Sequence, residues 1–281
     1  VVSAGDRVTA LAALIEAIHR APAALLYLDY DGTLVPLRRD PAHCQLAPSL
    51  VDALRQLSEH RGRPDLDVAV ISGRSLRDLR RQLGADLQHL ALAGNHGLEI
   101  ASAGGSWCDP RAAALRQQLD GVAHRLQQRL RTCPGAWLEH KGLSLSLHSR
   151  GLSLEQRHRL EQQLQPLLQQ IHAEGQFVLR RGRMVLEVRP AILHTKADAV
   201  QWLEAAARRR GIGSADGLLR LYFGDDDTDE DVFRLWPGVI GVRVGPGAMP
   251  TAARHRLNGP AGVARWLQAL ALRLADEQLA N

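Results

Sequence analysis

Apolar positions recur along this chain with two different periods, and the alternation between them divides it into segments. Residues 6–20 place Val8, Leu11, Leu14, Ile15 and Ile18 at helical spacing, which predicts an amphipathic helix. The continuous apolar run Ala24–Leu28 then reads as a strand buried on both faces, ending in Asp29-Tyr30-Asp31-Gly32. Because side chains alternate along a strand, Asp29 and Asp31 leave it on the same side. A loop with Pro36, Pro41 and Pro48 leads to a helix over about 49–60, with Leu50, Leu54 and Leu57 on one face. Asp67–Ile71 predicts a second buried strand. It runs into Ser72-Gly73-Arg74-Ser75 and a helix over 76–83, for which Ser75 and Asp78 form a capping box. A third strand, Leu90–Ala93, ends in Gly94-Asn95-His96-Gly97.

Strands separated by helical segments predict a parallel sheet with helices on its faces. From about residue 105 the pattern changes. Asp109-Pro110 caps and opens a helix to about Arg131. Two strands follow, Ala136–Glu139 and Leu143–Ser149, joined through Lys141-Gly142. Ser153 with Gln156 starts a helix to about His172, and the strands Phe177–Arg180 and Met184–Val188 are joined near Gly182. This αββαββ block predicts an inserted α+β domain with one antiparallel sheet. Leu143, Leu145, Leu147, Met184, Leu186 and Val188 form the face expected against its helices. The opposite face carries Ser146, His148 and Glu187, with Glu139 and Lys141 at the edge. Solvation alone explains most polar sheet faces. Mixed charges and hydroxyls on one face also suit hydrogen bonding to a polyol.

Beyond Pro190 the α/β pattern resumes. Thr195 and Asp198 form a capping box for a helix to Arg210, with Gly211 as its stop. Lys196 falls in the first turn, where the helix dipole disfavours a cation by up to about 1 kcal/mol. An anion is therefore expected to share its site. The strand Leu218–Phe223 ends in Gly224-Asp225-Asp226-Asp227-Thr228-Asp229-Glu230-Asp231, and the strand Val239–Val244 and a helix over about 260–275 follow. The fold class is α/β: a Rossmann-like core with a parallel sheet, residues 1–106 and 190–281, interrupted by the inserted domain, 107–189.

At 281 residues the chain exceeds a typical single domain, in line with two. It holds no apolar run near the ~18–20 residues of a membrane helix and no signal segment. Its first residue is Val, which leaves an upstream segment open. Three cysteines without metal-type spacing fit reduced thiols and a cytoplasmic setting. The formal charge of +5 raises the question of nucleic acid, but the cations are scattered and aromatics make up only 4%, so no base-stacking surface is expected. Of the 35 basic residues only Lys141 and Lys196 are lysines. Bias towards arginine codons accounts for most of that excess. Lysine persists where a compact charge fits and a planar guanidinium does not, which marks both positions.

The Asp29–Asp31 stretch by itself fits two structures equally. Asp-Gly between apolar runs is a hairpin signal, and two carboxylates at a strand end suit a divalent cation and phosphoryl chemistry. In parallel sheets, ligands bind beyond the carboxyl ends of the strands. Asp29, Asp31, Ser72, Asn95, Asp225 and Asp226 all lie at such ends, which favours the second reading. The acidic run is no EF-hand, since Glu230 and Trp236 stand where Gly and Glu are required. Gly245-Pro246-Gly247 lacks the remainder of a dinucleotide fingerprint, and there is no Gly-Lys-Ser/Thr phosphate loop. The surviving set has the chemistry of phosphate-monoester transfer to a carboxylate, with a second acid for the proton and Ser and Lys on the phosphate oxygens.

Asp29-Tyr-Asp31-Gly-Thr-Leu, Ser72-Gly-Arg, Lys196 and Gly224-Asp225-Asp226, in this order, resemble the haloacid dehalogenase superfamily of aspartyl-phosphate phosphatases. The insertion resembles the larger cap domain of one branch. Within it, Gly94-Asn-His-Gly97, Glu139-His-Lys141, Ser146-Leu-His-Ser-Arg150 and Leu186-Glu-Val-Arg-Pro190 resemble trehalose-6-phosphate phosphatases. Ser149 departs from that pattern, which commonly has an aromatic there. The resemblance implies Asp29 as nucleophile and Asp31 as general acid and base. It implies Mg²⁺ held by Asp29, the Asp31 main-chain carbonyl and Asp225, with Asp226 supporting its waters, and phosphate held by Ser72, the Gly73 amide and Lys196. Glu139, Lys141, Arg150 and Glu187 would bind the glucose units, with Asn95 and His96 lining the cleft. The partner implied is a small sugar phosphate, with no nucleic acid or membrane, and the chain is expected to be a monomer. The alternative is a phosphatase of the same chemistry acting on sucrose, glucosylglycerol or mannosylglycerate phosphate.

Overall fold

The computed structural model describes residues 4–38, 44–59, 65–182, 184–213, 217–236, 238–247 and 249–275, with side chains from Leu11 on. Pro41 of the proline loop, and Val8's side chain, lie outside that set. The chain divides into two units: one runs up to Trp107 and resumes at His194, and the other is Cys108–Leu193.

The elements in chain order are α1 (Ala4–Arg20), β1 (Ala23–Asp29), α2 (Pro48–Ser58), β2 (Leu66–Ile71), α3 (Leu76–Leu83), β3 (Ala91–Gly94), β4 (Glu99–Ser102) and β5 (Gly105–Cys108). The smaller unit holds α4 (Pro110–Ala114), α5 (Arg116–Leu130), β6 (Trp137–His140), β7 (Leu145–His148), α6 (Leu154–Ala173), β8 (Phe177–Gly182) and β9 (Val185–Pro190). The larger unit closes with α7 (Lys196–Arg209), β10 (Leu218–Gly224), α8 (Asp227–Leu235), β11 (Val239–Val244), β12 (His255–Leu257) and α9 (Gly259–Ala275).

In the larger unit the strand order is β12-β11-β10-β1-β2-β3-β4-β5. Every described pairing from β12 to β3 is parallel, and β4 runs antiparallel to β3. The apolar run of β1 is central because both its faces are buried. Leu26 and Leu28 join the core formed with α1, α2, α3 and α9, while Leu25 and Tyr27 join the core formed with α7 and α8. Each such leucine taken from water contributes about 1.5–3 kcal/mol. The consequence for the site is geometric: β1, β2 and β10 are parallel neighbours, so their carboxyl ends lie side by side.

The smaller unit is an antiparallel sheet in the order β6-β7-β9-β8. Leu145, Leu147 and Val188 form its core with Leu119, Val122 and Leu126 of α5 and Leu160 and Leu164 of α6. Ser153 and Gln156 make the expected capping box.

Several sequence expectations need correcting. The helix expected over 110–131 is two helices, because Leu115 (φ −88°, ψ 1°) leaves helical geometry. Met184 does not open β9; it stands in the turn before that strand at φ +62° and is exposed. Ser75 accepts from the Asp78 amide, but the Asp78 carboxylate turns to Arg74 and Arg81, so that capping box is half made. The short strands β4, β5 and β12 and the helix α8 had no counterpart in the sequence reading.

Candidate active site

The Asp-Gly stretch is no hairpin. The Gly32 amide donates to Val35 O (2.7 Å), and the Leu34 and Val35 amides both donate to Tyr30 O, so the chain turns tightly over residues 30–35. Gly32 sits at φ +89°, and a Cβ there would lie 2.1 Å from an Asp225 carboxylate oxygen. Glycine is thus required twice, for the backbone and for the approach of Asp225 to the end of β1.

Around the ends of β1 and β10 a buried ion cluster forms. Lys196, 2% exposed, donates from Nζ to Asp29 Oδ1 and to Asp229 Oδ1, both at 2.7 Å. The anion expected beside a cation in the first turn of α7 is therefore present, twice over. Asp229 is fully buried and also accepts from Tyr222 Oη (2.7 Å) and from the Asp226 amide (3.0 Å). Burial works against the Lys196 charge, but the Asp229 and Asp29 carboxylates outweigh it and hold its pKa well above the lysine norm.

The acids show the opposite imbalance. Burial, with the neighbouring charges of Asp229 and Asp226, pushes the Asp225 carboxyl up to about 7. Burial is also the chief cause that pushes Asp229 up to about 6, against the pull of Lys196. Asp29 is raised well above the carboxylate range, first by burial and then by Asp229 and Asp225, despite Lys196. Asp29, Asp225 and Asp229 each offer an oxygen within 4.8 Å of the others, and the buried Asp29 Oδ2 meets no donor. Three carboxylates share one ammonium, and the donors are all hard oxygens. A divalent cation such as Mg²⁺ fits that set and would relieve the repulsion. Asp229, already saturated by Lys196, Tyr222 and an amide, is better placed to anchor Lys196 than to ligate.

The other core residues fall into place around this cluster. Asp31 turns its carboxylate to Arg74, with Nε at 2.6 Å and Nη2 at 2.7 Å. Asp226 caps α8, accepting from the Thr228 amide (2.8 Å) and hydroxyl (2.6 Å). Buried Ser72 accepts from the Arg74 amide (3.1 Å). A Cβ on Gly73 would lie 2.6 Å from His96 Nε2, so the loop and the imidazole are in close contact. Asn95 donates to Glu99 Oε1 (2.7 Å), which also accepts from the Leu76 amide at the start of α3 (2.8 Å). Glu99 thereby fixes both loops.

On the polar face of the smaller unit, Glu139 pairs in register with Ser146, and Ser146 with Glu187. Glu187 is the hub: it accepts from Lys141 Nζ (3.2 Å), Ser146 Oγ (3.3 Å) and Arg189. Glu139 Oε2 lies 2.9 Å from His148 Nε2. Arg150 follows β7 and is partly exposed.

The family model described as Trehalose-phosphatase matches residues 27–239. This chain belongs to the trehalose-phosphatase family. A trehalose 6-phosphate phosphatase of Zea mays is 30% identical over 265 residues, covering 88% of this chain and 69% of that one. Two longer Mycobacterium tuberculosis relatives, described as uncharacterized glycosyl hydrolases, are 34% identical, and the chain spans 19% of each. The C-terminal domain of a C. albicans trehalose-6-phosphate phosphatase superposes with a TM-score of 0.75 at 25% identity, over 93% of this chain and 96% of that one. A haloacid dehalogenase-like hydrolase from Bacteroides thetaiotaomicron shares the fold (TM-score 0.57, 16% identity, 88% of this chain and 99% of that one). The chain is a phosphatase on a haloacid dehalogenase-like fold. Among the described residues no helix is long and apolar enough to cross a membrane.

Within the trehalose-phosphatase frame, the sequence reading missed Asp229, Glu99, Arg74 and Arg189 as residues that hold the others. Asp229 had a signal: it stands three residues after Asp226, the spacing of a cap and its reciprocal partner, and both halves of that box form. Glu99 had none, since its partners lie on two separate loops.

Proposed function

We propose that this chain hydrolyses trehalose 6-phosphate to trehalose and phosphate through an aspartyl phosphate on Asp29. The observation that carries the chemistry is the buried cluster in which Lys196 grips Asp29 Oδ1 while Asp29 Oδ2 stays without a donor. Oδ2 is then the oxygen free to attack phosphorus, and the Lys196 bond fixes the plane of its carboxylate. Asp31 supplies a proton to the departing sugar oxygen and, as a carboxylate, takes one from the water that later attacks the aspartyl phosphate. Ser72, the Gly73 amide and Lys196 hold the phosphoryl oxygens as their charge changes.

Asp29 and Asp225, with the main-chain carbonyl of Asp31, would hold Mg²⁺, and Asp226 would support its waters. When bound, the cation neutralises charge on the phosphoryl group and on the acids that surround it. Glu139, Lys141, Arg150 and Glu187 recognise the sugar hydroxyls, and Asn95 and His96 contact the substrate. Residues 1–106 with 190–281 serve as the catalytic core and 107–189 as the specificity cap. The chain is proposed to act as a monomer in the cytoplasm.

The test is phosphate release, with Mg²⁺ supplied, from a panel of sugar phosphates. Trehalose 6-phosphate is expected to give the highest kcat/KM by far. Equal rates on sucrose, glucosylglycerol and mannosylglycerate phosphates would reject a dedicated disaccharide enzyme while leaving the phosphatase chemistry intact.

A further inference from the structure

The polar sheet face of the smaller unit carries a large aromatic among its charged and hydroxyl side chains. Trp137 opens the edge strand β6, in register with His148 of β7. Strand alternation puts it on the same face as Glu139, Ser146, His148 and Glu187, away from the apolar core. Its indole stacks on the His148 ring, with centroids 4.0 Å apart and planes 15° from parallel. His148 is in turn held through Nε2 by Glu139 Oε2. One indole face is thus covered by a ring that is itself fixed, and the residue remains 44% exposed.

A large exposed aromatic, braced from one side and bordered by carboxylates, a hydroxyl and an ammonium, is a composite surface. Pyranose rings are composite in the matching way, with C–H groups on their faces and hydroxyls around their rims. Aromatic rings take the former and charged side chains the latter. The phosphorylated glucose of a disaccharide phosphate already has a charged handle. The other ring has none, so it gains most from an apolar contact.

We propose that Trp137 is the stacking platform for the unphosphorylated pyranose ring of the substrate, braced by His148, with Glu139 fixing His148 beneath it. This rests on the disaccharide-phosphate function above and adds a residue that selects for the second sugar. An indole that merely shields His148 would be structural, and the two roles separate experimentally.

The experiment measures kcat and KM for the intact chain and for Trp137→Ala and Trp137→Phe, with Mg²⁺. The substrates are trehalose 6-phosphate, glucose 6-phosphate and p-nitrophenyl phosphate. The expected result is a discrimination between trehalose 6-phosphate and the two single-ring substrates that falls about tenfold in Trp137→Ala, chiefly through KM, and recovers to within about threefold of the original in Trp137→Phe. Equal losses on all three substrates in Trp137→Ala, or no loss on any, overturn the platform while leaving the phosphatase reading standing. A parent chain that cleaves p-nitrophenyl phosphate but does not prefer trehalose 6-phosphate overturns both.

Discussion

Arg74 grips Asp31 with two parallel hydrogen bonds, Nε to Oδ2 at 2.6 Å and Nη2 to Oδ1 at 2.7 Å. The arginine is buried, its third corner reaches Asp78 Oδ2 at 2.6 Å, and its guanidinium lies 5.3 Å from the Tyr30 ring centroid. Such a fork-to-carboxylate pair fixes orientation as well as distance, which a single-point ammonium does not. Arg74→Ala leaves two carboxylates facing an empty, partly dry space and is expected to cost about 3 kcal/mol of stability. Arg74→Lys keeps the charge but not the fork. Asp31→Asn keeps a hydrogen-bond acceptor for Arg74 but removes the proton carrier. Denaturant unfolding with steady-state rates should find Arg74→Ala weak in both, Arg74→Lys near-normal in stability but slow, and Asp31→Asn stable and at least a hundredfold slower. Asp31→Asn retaining full turnover would remove the proton-carrier role.

Lys196 tests whether the scarcity of lysine in this chain carries meaning. Its Nζ fits between Asp29 and Asp229 at 2.7 Å from each, with the side chain 2% exposed. A guanidinium is wider than an ammonium and cannot sit at that point without pushing the carboxylates apart. Lys196→Arg is expected to lose most turnover, and Lys196→Met to lose stability too, since it leaves two buried acids without their cation. Near-normal kcat in Lys196→Arg would mean that codon bias alone explains why lysine is rare here.

Asp229 should behave as a positioning residue. It accepts from Lys196, Tyr222 and the Asp226 amide and is wholly buried, so the substrate cannot reach it. Asp229→Asn preserves shape and one acceptor but removes one of the negative charges next to the lysine. We expect kcat to fall at least tenfold with KM little changed, because the ammonium shifts towards Asp29. Asp229→Glu, which restores charge at a longer reach, should recover part of the rate. A merely structural Asp229 would lose stability in both variants and show no such ordering of rates.

How much of this was legible in the sequence depends on the distance over which each feature is decided. The strands β1 and β3 are apolar runs buried throughout, and β2, β10 and β11 are mainly apolar with one charged residue each, Asp67, Arg220 and Arg243, so composition reveals them. Caps such as Thr195 with Asp198 are decided within four residues, and both halves form. β12, with only three half-buried residues, has too little pattern to read. α8 was hidden because a run of acids looks solvated, although acids are also what a helix N-terminus favours. The pairing of Asp31 with Arg74 spans 43 residues and that of Lys196 with Asp29 spans 167. No local rule reaches so far; only the parallel order of β10, β1 and β2 brings those ends together.

The acid cluster predicts an unusual pH dependence in protein stripped of divalent cations. Asp225 and Asp229 titrate near 7 and 6 in the folded chain, while carboxyls in an unfolded chain titrate near about 4. Between those values the folded state binds more protons than the unfolded state, so stability from these groups falls as pH rises. The penalty is absent below about pH 4, grows through pH 6–7 and is constant above. Mg²⁺ competes with the same protons, so its stabilisation should be large at pH 8 and small at pH 5. Thermal unfolding with chelator and with excess Mg²⁺ at both pH values measures this. The chelated protein is expected to have a lower Tm at pH 8 than at pH 5, and Mg²⁺ to reverse that order. Asp225→Asn should flatten the chelated slope and remove much of the Mg²⁺ shift, since it deletes the carboxyl that burial and its neighbours raise most clearly within this range. A chelated Tm that rises from pH 5 to pH 8 would mean that the carboxylates repel one another less than their burial and spacing imply.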